Sequence, residues 1–221
     1  MKLISVNVGL PREVVSDGKI VTTAIFKEPV VGRVEVRKYN LDGDRQADPS
    51  VHGGADKAIY AYPVEHYDYW RRALPDMTLP FGMFGENLTT EGLLEGNVSV
   101  GDRFRVGTAE FMVTQPRLPC FKLALKFGRE DIIKRFLQSG RTGFYFTVLG
   151  EGKVGAGDTI ELTHRDERRI TVSDVVRLYT TKNYTSADVE TLRRAVQVEA
   201  LPESWRRRFL KQIEQLSSSK R

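Results

Sequence analysis

The chain has a single cysteine, Cys120, and only three histidines in 221 residues. One thiol cannot close an intrachain disulfide, nor can it supply the several thiolates of an iron–sulfur cluster. The histidines and the cysteine are scattered without zinc-ligand spacing, so a zinc centre finds no support. No apolar run approaches the roughly 20 residues that a membrane-spanning helix needs. The opening residues, Met1 to Val8, lack the apolar core and small-residue cleavage site of a signal peptide, and a cytoplasmic, unprocessed protein is expected. A Walker phosphate loop is missing as well: Ser139-Gly140-Arg141-Thr142-Gly143 has neither its spacing nor its Gly-Lys pair. The closely placed aspartates around Asp44 do not make an EF-hand, because Ala47 stands where the loop needs glycine and no glutamate closes it.

What remains is an ordinary globular balance, 40% hydrophobic and 29% charged, with room for one large domain or a medium domain and an appendage. The net charge of +5 is unevenly placed. From Arg165 onward there are 13 Lys/Arg and 8 Asp/Glu, whereas the first 164 residues hold 21 of each sign. A neutral body with a basic appendage suggests a boundary there. The basic segment reads as a solvated helix face, with an acidic partner or nucleic acid as the other readings.

The body reads as short strands separated by glycine and aspartate turns: residues 2–8, 31–37, 58–62, 100–106, 110–115, 144–149 and 156–162. Such a pattern predicts a closed or nearly closed β-barrel. Two helices interrupt it. One begins at Pro63 and carries Val64, Tyr67, Trp70 and Leu74; the other spans about 130–139, with Gly140 as its C-cap. After residue 166 the period becomes helical. Three helices are expected: one over 172–178, one capped by Thr185 or Ser186, and one opened by Pro202. The division is therefore 1–165 for a mainly β domain with interspersed helices and 166–221 for a three-helix module, α+β overall.

Several stretches could carry chemistry. Gln115-Pro116-Arg117-Leu118-Pro119-Cys120-Phe121-Lys122-Leu123 is stiffened by two prolines, and Arg117 and Lys122 flank the cysteine. Nearby cations favour the thiolate, the nucleophilic and metal-binding form; the competing reading is a buried cysteine in a turn. Gly43-Asp44-Arg45-Gln46-Ala47-Asp48 precedes Val51-His52-Gly53-Gly54-Ala55-Asp56-Lys57-Ala58. There Gly53 and Gly54 can present backbone amides to an anion, with His52 and Lys57 beside them. A Cys120–His52 catalytic pair is one use of these residues. Phe84-Gly85-Glu86-Asn87-Leu88 and the Arg141 loop complete the set. One thiol, several cations and four glycine-containing loops suit a phosphorylated cofactor that interacts with a thiol better than they suit hydrolysis.

Taken in order, these motifs resemble MOSC-domain proteins of the YiiM type, and the final helices resemble the three-helix module of that subgroup. The resemblance covers essentially the whole chain. It implies a barrel-like fold and a molybdenum cofactor, a molybdopterin carrying a phosphate, with Cys120 as the protein ligand to molybdenum. The implied activity is reductive removal of oxygen from N-hydroxylated compounds such as 6-hydroxylaminopurine, a detoxification. It also implies a separate electron-donor reductase, such as a flavoprotein, since no flavin or haem motif is present. On motif position, Lys57, Arg117, Lys122, Arg141, Gly53 and Gly54 are expected to hold the anionic cofactor. His52 and Asn87 are expected at its polar edges or at the substrate. The helical module is expected to pack on the barrel through Val189, Leu192, Trp205, Phe209 and Ile213, apart from the metal site, and to offer Arg206, Arg207 and Arg208 to an acidic donor. One alternative keeps the fold and makes Cys120 a persulfide-bearing sulfur carrier for metallocluster assembly. Another makes the basic helices a nucleic-acid module. Oligomeric state is open, a homodimer included.

Overall fold

The computed structural model describes residues 1–16, 18–47 and 53–218. In chain order the strands are β1 (Lys2–Val8), β2 (Arg12–Ser16), β3 (Lys19–Thr23), β4 (Glu28–Pro29), β5 (Arg33–Val36), β6 (Ile59–Pro63), β7 (Leu88–Glu91), β8 (Arg103–Val106), β9 (Ala109–Pro116), β10 (Phe144–Gly150), β11 (Gly152–Gly155) and β12 (Ile160–His164). Helices α1 (Glu65–Ala73), α2 (Phe121–Phe127) and α3 (Ile132–Ser139) lie among them, and α4 (Val172–Thr180), α5 (Ser186–Ala195) and α6 (Glu203–Ser218) follow. Among the described residues, no helix is long and apolar enough to cross a membrane.

Eight strands form one mixed sheet in the order β12-β8-β9-β10-β6-β7-β1-β4, with two separate pairs, β11-β5 and β2-β3. The β6-β7 pairing is parallel, so α1 serves as the crossover that parallel neighbours require. The sheet curls until the start of β1 meets the turn before β12: the Leu3 N–H donates to the Asp158 carbonyl at 2.9 Å and the Ile160 N–H to the Met1 carbonyl at 3.0 Å. Closure goes no further than an isolated bridge at Lys2 and Thr159, because the rest of that edge of β1 is given to β4 at Asn7 and Val8. The architecture is therefore a curled, barrel-like mixed sheet and not a closed barrel, and the fold is α+β overall.

Local sequence accounts for most elements, with two corrections. Pro63 does not open a helix. The ladder to β7 continues through the Val64 N–H, which donates to the Thr90 carbonyl at 2.7 Å, so the proline lies inside β6 and Val64 caps α1. The stretch after Cys120 is helical where an extended stiff loop was expected. Pro116 ends β9, Pro119 precedes the turn, and Leu123 and Phe127, four residues apart, are both buried among Phe84 and Phe136. Gly128 ends this helix in the left-handed region at φ 63°.

The terminal helices start where capping chemistry places them. Thr171 accepts from the Asp174 N–H and Thr185 from the Asp188 N–H, each in a reciprocal capping box. Their core holds Val175, Leu178, Leu192, Trp205 and Phe209, with Ile213 partly buried against it. Val189 is not in that cluster, which instead includes Val100 and Leu118 from the body. The three arginines of α6 have distinct surroundings. Arg207 is exposed and paired with Glu203 at 2.6 Å, Arg206 is half-buried, and Arg208 lies over the Tyr179 ring at 4.4 Å. Arg207 and Arg208 are both exposed, and Arg206 is the one drawn inward.

Phe209 is fully buried at the centre of the module. Phe209→Ala is expected to cost about 3–5 kcal/mol through lost burial and the cavity left behind. Urea unfolding should show a lower midpoint at an unchanged slope, and a midpoint equal to wild type would contradict this packing.

Candidate functional site

Cys120 is half-buried at the N-cap of α2, in extended backbone, and its side chain makes no capping hydrogen bond. It opens onto a cleft lined by the segment after β3, the Asp44–Ala47 loop, the 3-10 turn Ala55–Lys57, Asn87 and the β9–α2 loop. Five cations line this space: Lys27, Arg45, Lys57, Arg117 and Lys122. The one carboxylate among its described lining residues, Asp44, is already engaged by Lys27, by the Gly9 N–H at 2.9 Å and by the Asn87 amide at 2.8 Å. The cleft therefore presents a strongly electropositive surface next to a thiol.

Arg117 is buried at 5% exposure and lies over the rings of Phe136, 5.2 Å to the centroid, and Tyr60, 5.5 Å. Its Nη1 is buried with no hydrogen-bond partner. Burial works against the charge, yet Tyr60, Tyr145 and Cys120 outweigh it and hold the guanidinium above its ordinary value. A buried, permanently charged donor facing a cleft without a partner is the feature an anion would satisfy.

Behind the cleft two more buried ions fix the loops. Glu86 gathers Gly82 N–H at 2.8 Å, Phe84 N–H at 3.0 Å and the hydroxyls of Thr89 at 3.1 Å and Tyr67, so one carboxylate cages the Phe81–Glu86 turn. Burial raises its pKa against those hydrogen bonds. Gly82 sits at φ 83° with the Lys27 carbonyl 2.6 Å from where a Cβ would stand, and only glycine fits there. Lys126 of α2 donates to the Ile25 carbonyl at 2.9 Å and the Gly82 carbonyl at 2.5 Å, tying the helix after Cys120 to the loop after β3 and to the Phe81–Glu86 turn.

Of the residues singled out in the sequence, the fold brings Cys120, Lys57, Arg117, Lys122 and Asn87 to one cleft. Asn87 spends its amide on the protein, accepting from the Tyr60 N–H at 3.1 Å and donating to Asp44 and Asn7, which makes it a brace for Asp44. Arg141 is elsewhere: it lies over Tyr69 at 3.9 Å and donates to the Ser139 carbonyl. Its loop is held by Glu95, which takes the Gly143 N–H at 2.7 Å and His66 at 2.7 Å. Gly54 lines a neighbouring depression with Tyr39 and Arg45, and neither it nor Gly53 is among the described residues of the Cys120 cleft. His52 lies outside the described residues. Lys27, Arg45 and Tyr145 were missed. Arg45 sat inside a motif already noticed, whereas Lys27 has no local signal and reaches the site only through its pairing with Asp44.

A second lobe adjoins the first and shares Lys57, Leu118, Cys120 and Tyr145 with it. Its far wall comes from the helical module, through Tyr179, Trp205 and Arg208. No residue of the module lines the five-cation cleft, but Leu118 docks in the module's core and the Trp205 indole N–H donates to Gln115 Oε1 at 2.8 Å, which holds α6 beside the cysteine loop.

Comparison with known proteins agrees with this layout. Residues 48–161 match the MOSC domain, and residues 170–216 match the YiiM-like 3-alpha helix domain. YflK of Bacillus subtilis is 43% identical over 97% of this chain and 95% of its own length. A protein of Gibberella moniliformis named reductase is 34% identical over 82% of this chain, which spans 32% of that longer protein. The crystal structure of YiiM from Geobacillus stearothermophilus superposes with a TM-score of 0.78 at 35% identity, covering 96% of this chain and 98% of that one.

Burial holds the Lys126 ammonium down to about 8 from 10.5, with Glu86 partly restoring it. The folded value lies below the unfolded one, so between those pH values the unfolded chain binds the extra proton. Stability contributed by this group therefore rises as pH climbs from 8 toward 10.5. Urea unfolding across that range should show wild type gaining on Lys126→Met as pH increases; a pH-independent difference between the two would refute the buried-ammonium assignment.

Proposed function

This chain belongs to the MOSC family and carries a YiiM-like three-helix domain behind the MOSC domain, and on that premise we propose that it is a molybdenum-cofactor-dependent reductase of N-hydroxylated compounds such as 6-hydroxylaminopurine. The observation that carries the reading is Arg117, a buried cation whose Nη1 lacks a partner on the wall of the cleft that Cys120 opens onto. The donor set suits the cofactor. Lys27, Arg45, Lys57 and Lys122 add positive charge around Arg117 for a phosphate-bearing pterin. Among the described residues no three His, Cys, Asp or Glu side chains converge on a metal position. One soft thiolate, Cys120, together with the sulfurs that a molybdopterin brings, is the combination that fits. The reductase name of the fungal relative points the same way.

The cofactor, when bound, supplies the two-electron, oxygen-accepting chemistry. In the overall reaction the N–O bond breaks, two electrons and two protons are taken up, and an amine and water leave. The electrons come from a separate donor, of the flavoprotein reductase class, because the sequence carries no flavin or haem motif. The protein's part is to hold the anionic cofactor on Arg117 and its neighbours and to supply the Cys120 ligand. The curled sheet and the helical module form the two sides of the site.

The deciding experiment is gentle purification from cells with and without molybdopterin synthesis, followed by molybdenum and pterin analysis and an N-hydroxypurine reduction assay. Cofactor content and activity should both depend on molybdopterin synthesis. Persulfide on Cys120 with no pterin in either preparation would replace the reading with the sulfur carrier.

Two substitutions sharpen it. Cys120→Ala removes a half-buried side chain outside the buried hydrophobic clusters, so its stability cost should stay under about 2 kcal/mol while reductase activity is lost. Wild-type turnover with full cofactor loading would rule out the ligand role. Arg117→Ala should lower cofactor occupancy roughly ten- to a hundredfold, the worth of one charge-assisted contact. Occupancy equal to wild type, measured as pterin per chain, would remove Arg117 from the site.

A further inference from the structure

Glu95 and His66 are nearly fully buried and line neither lobe at Cys120. A carboxylate is stable at such depth only where partners replace its water. His66 Nε2 lies 2.7 and 3.0 Å from the two Glu95 oxygens, and the Gly143 N–H donates to Oε1 at 2.7 Å. A carboxylate accepts on both oxygens, so it can serve an imidazole and a backbone amide together. The backbone under it is clamped. Glu95 stands in a turn after β7, where its carbonyl accepts the Ser173 N–H at 3.0 Å and the Val98 carbonyl accepts the Val172 N–H at 2.9 Å. Both donors open α4, so the turn is tied to the start of the helical module.

Gly143 needs such an acceptor. It sits at φ 60° just before β10, with the Ala61 carbonyl too close for a Cβ, and only glycine fits there. Its N–H precedes the ladder to β6, which begins at Phe144, and a buried amide left without an acceptor is costly. From Gly143 the contacts run on to the cleft. The Gly143 carbonyl accepts the Arg117 N–H at 3.3 Å, and the Tyr60 hydroxyl donates to the Thr142 carbonyl at 2.8 Å. Tyr60 is one of the two rings against the Arg117 guanidinium. The residue that Glu95 holds therefore carries the backbone of the arginine, and its neighbour Thr142 carries one of the rings on which the side chain lies.

We propose that Glu95 is a positioning residue for the cleft: by holding Gly143 it fixes the backbone of Arg117, and with it the loop that presents Cys120. It acts only through Gly143 and lines no part of the cleft itself. His66 is its counterpart, keeping the carboxylate in place from α1. The fixing of the loop does not depend on the reductase reading; its consequence for the cofactor does.

The test is amide hydrogen exchange, read by mass spectrometry over residues 115–127 of the full chain. Glu95→Met keeps the side-chain length but not the acceptor, and this segment should exchange about tenfold faster, as loss of one hydrogen bond requires. Glu95→Gln keeps an oxygen for Gly143 and should restore most of the protection. Val154→Ala trims a buried side chain in the separate β11–β5 pair; it should lower the melting temperature and leave exchange over 115–127 at the wild-type rate. Where Glu95→Met does not fold, Glu95→Asp takes its place: the charge stays, but a side chain one methylene shorter cannot reach both His66 and Gly143, and exchange should again accelerate. In the same proteins, made in cells that synthesise molybdopterin, pterin per chain should fall about tenfold in Glu95→Met and hold in Glu95→Gln and Val154→Ala. Unchanged exchange in the acceptor-less or shortened variant, or equally fast exchange in Glu95→Gln, overturns the proposal whatever the cofactor content. Faster exchange with wild-type pterin content and turnover also overturns it, because the residue would then be structural only. Faster exchange that Glu95→Gln restores, with no pterin in any preparation, supports the hold on the loop and defeats the reductase reading instead.

Discussion

A guanidinium buried among aromatic rings sets the terms for the rest of this molecule. Removing a charge from water is costly unless partners replace the lost hydration. Arg117 has ring faces from Tyr60 and Phe136, and one of its nitrogens has no hydrogen-bond acceptor at all. The surroundings must be rigid for that arrangement to persist. The rigidity comes from a cluster in which Tyr62, Tyr67, Trp70, Phe84 and Phe136 stack or meet edge to face. The Arg117 N–H also donates to the Gly143 carbonyl at 3.3 Å, which anchors the segment just before Cys120 to the start of β10. The thiol thus sits on a loop gripped from behind by core packing, and its position is inherited from that of the arginine.

The remaining buried ions follow the same logic at the loops. Glu86 closes its own turn, Lys126 bridges two carbonyls across the cleft wall, and Asp44 collects Lys27, Gly9 and Asn87. Each replaces water with several protein partners, which is what makes such groups tolerable in an interior. The consequence is a cleft whose wall loops are tied to one another through buried ions. Preorganised walls are what a site needs if it is to hold a large anionic group without reorganising.

Two contacts tie the helical module to the cysteine loop. Leu118 packs in the module's core and Trp205 reaches Gln115. Both partners lie on the segment from the last residues of β9 to Cys120. The module is therefore coupled to the cysteine loop through that loop's own residues, and its arginines divide accordingly. Arg207 and Arg208 are both exposed; Arg207 pairs with Glu203, and Arg208 lies over the Tyr179 ring at the rim of the second lobe. A run of three arginines in sequence carries no sign of that division, since successive residues on a helix point about a third of a turn apart.

Local spacing accounts for much of what is seen. Alternation marked β1, β8, β9 and β10, the i, i+3, i+4 pattern marked α1 and α3, and the Thr185 cap marked α5. The proline-flanked Cys120 between Arg117 and Lys122, and the motif around Asp44, marked the site. All of these rest on interactions within a few residues, which a sequence displays directly. Tertiary structure alone decided the rest. The curl of the sheet stops short of closure because β4 competes for the edge of β1. Lys27 enters the cleft through an ion pair with a residue 17 positions away, and Arg141 leaves it for the Tyr69 ring. Tyr179, Trp205 and Arg208 arrive from a different domain to complete the second lobe. Each of these depends on which distant surfaces bury one another and on which buried charges find partners, and a sequence does not write those pairings into the spacing of neighbouring residues.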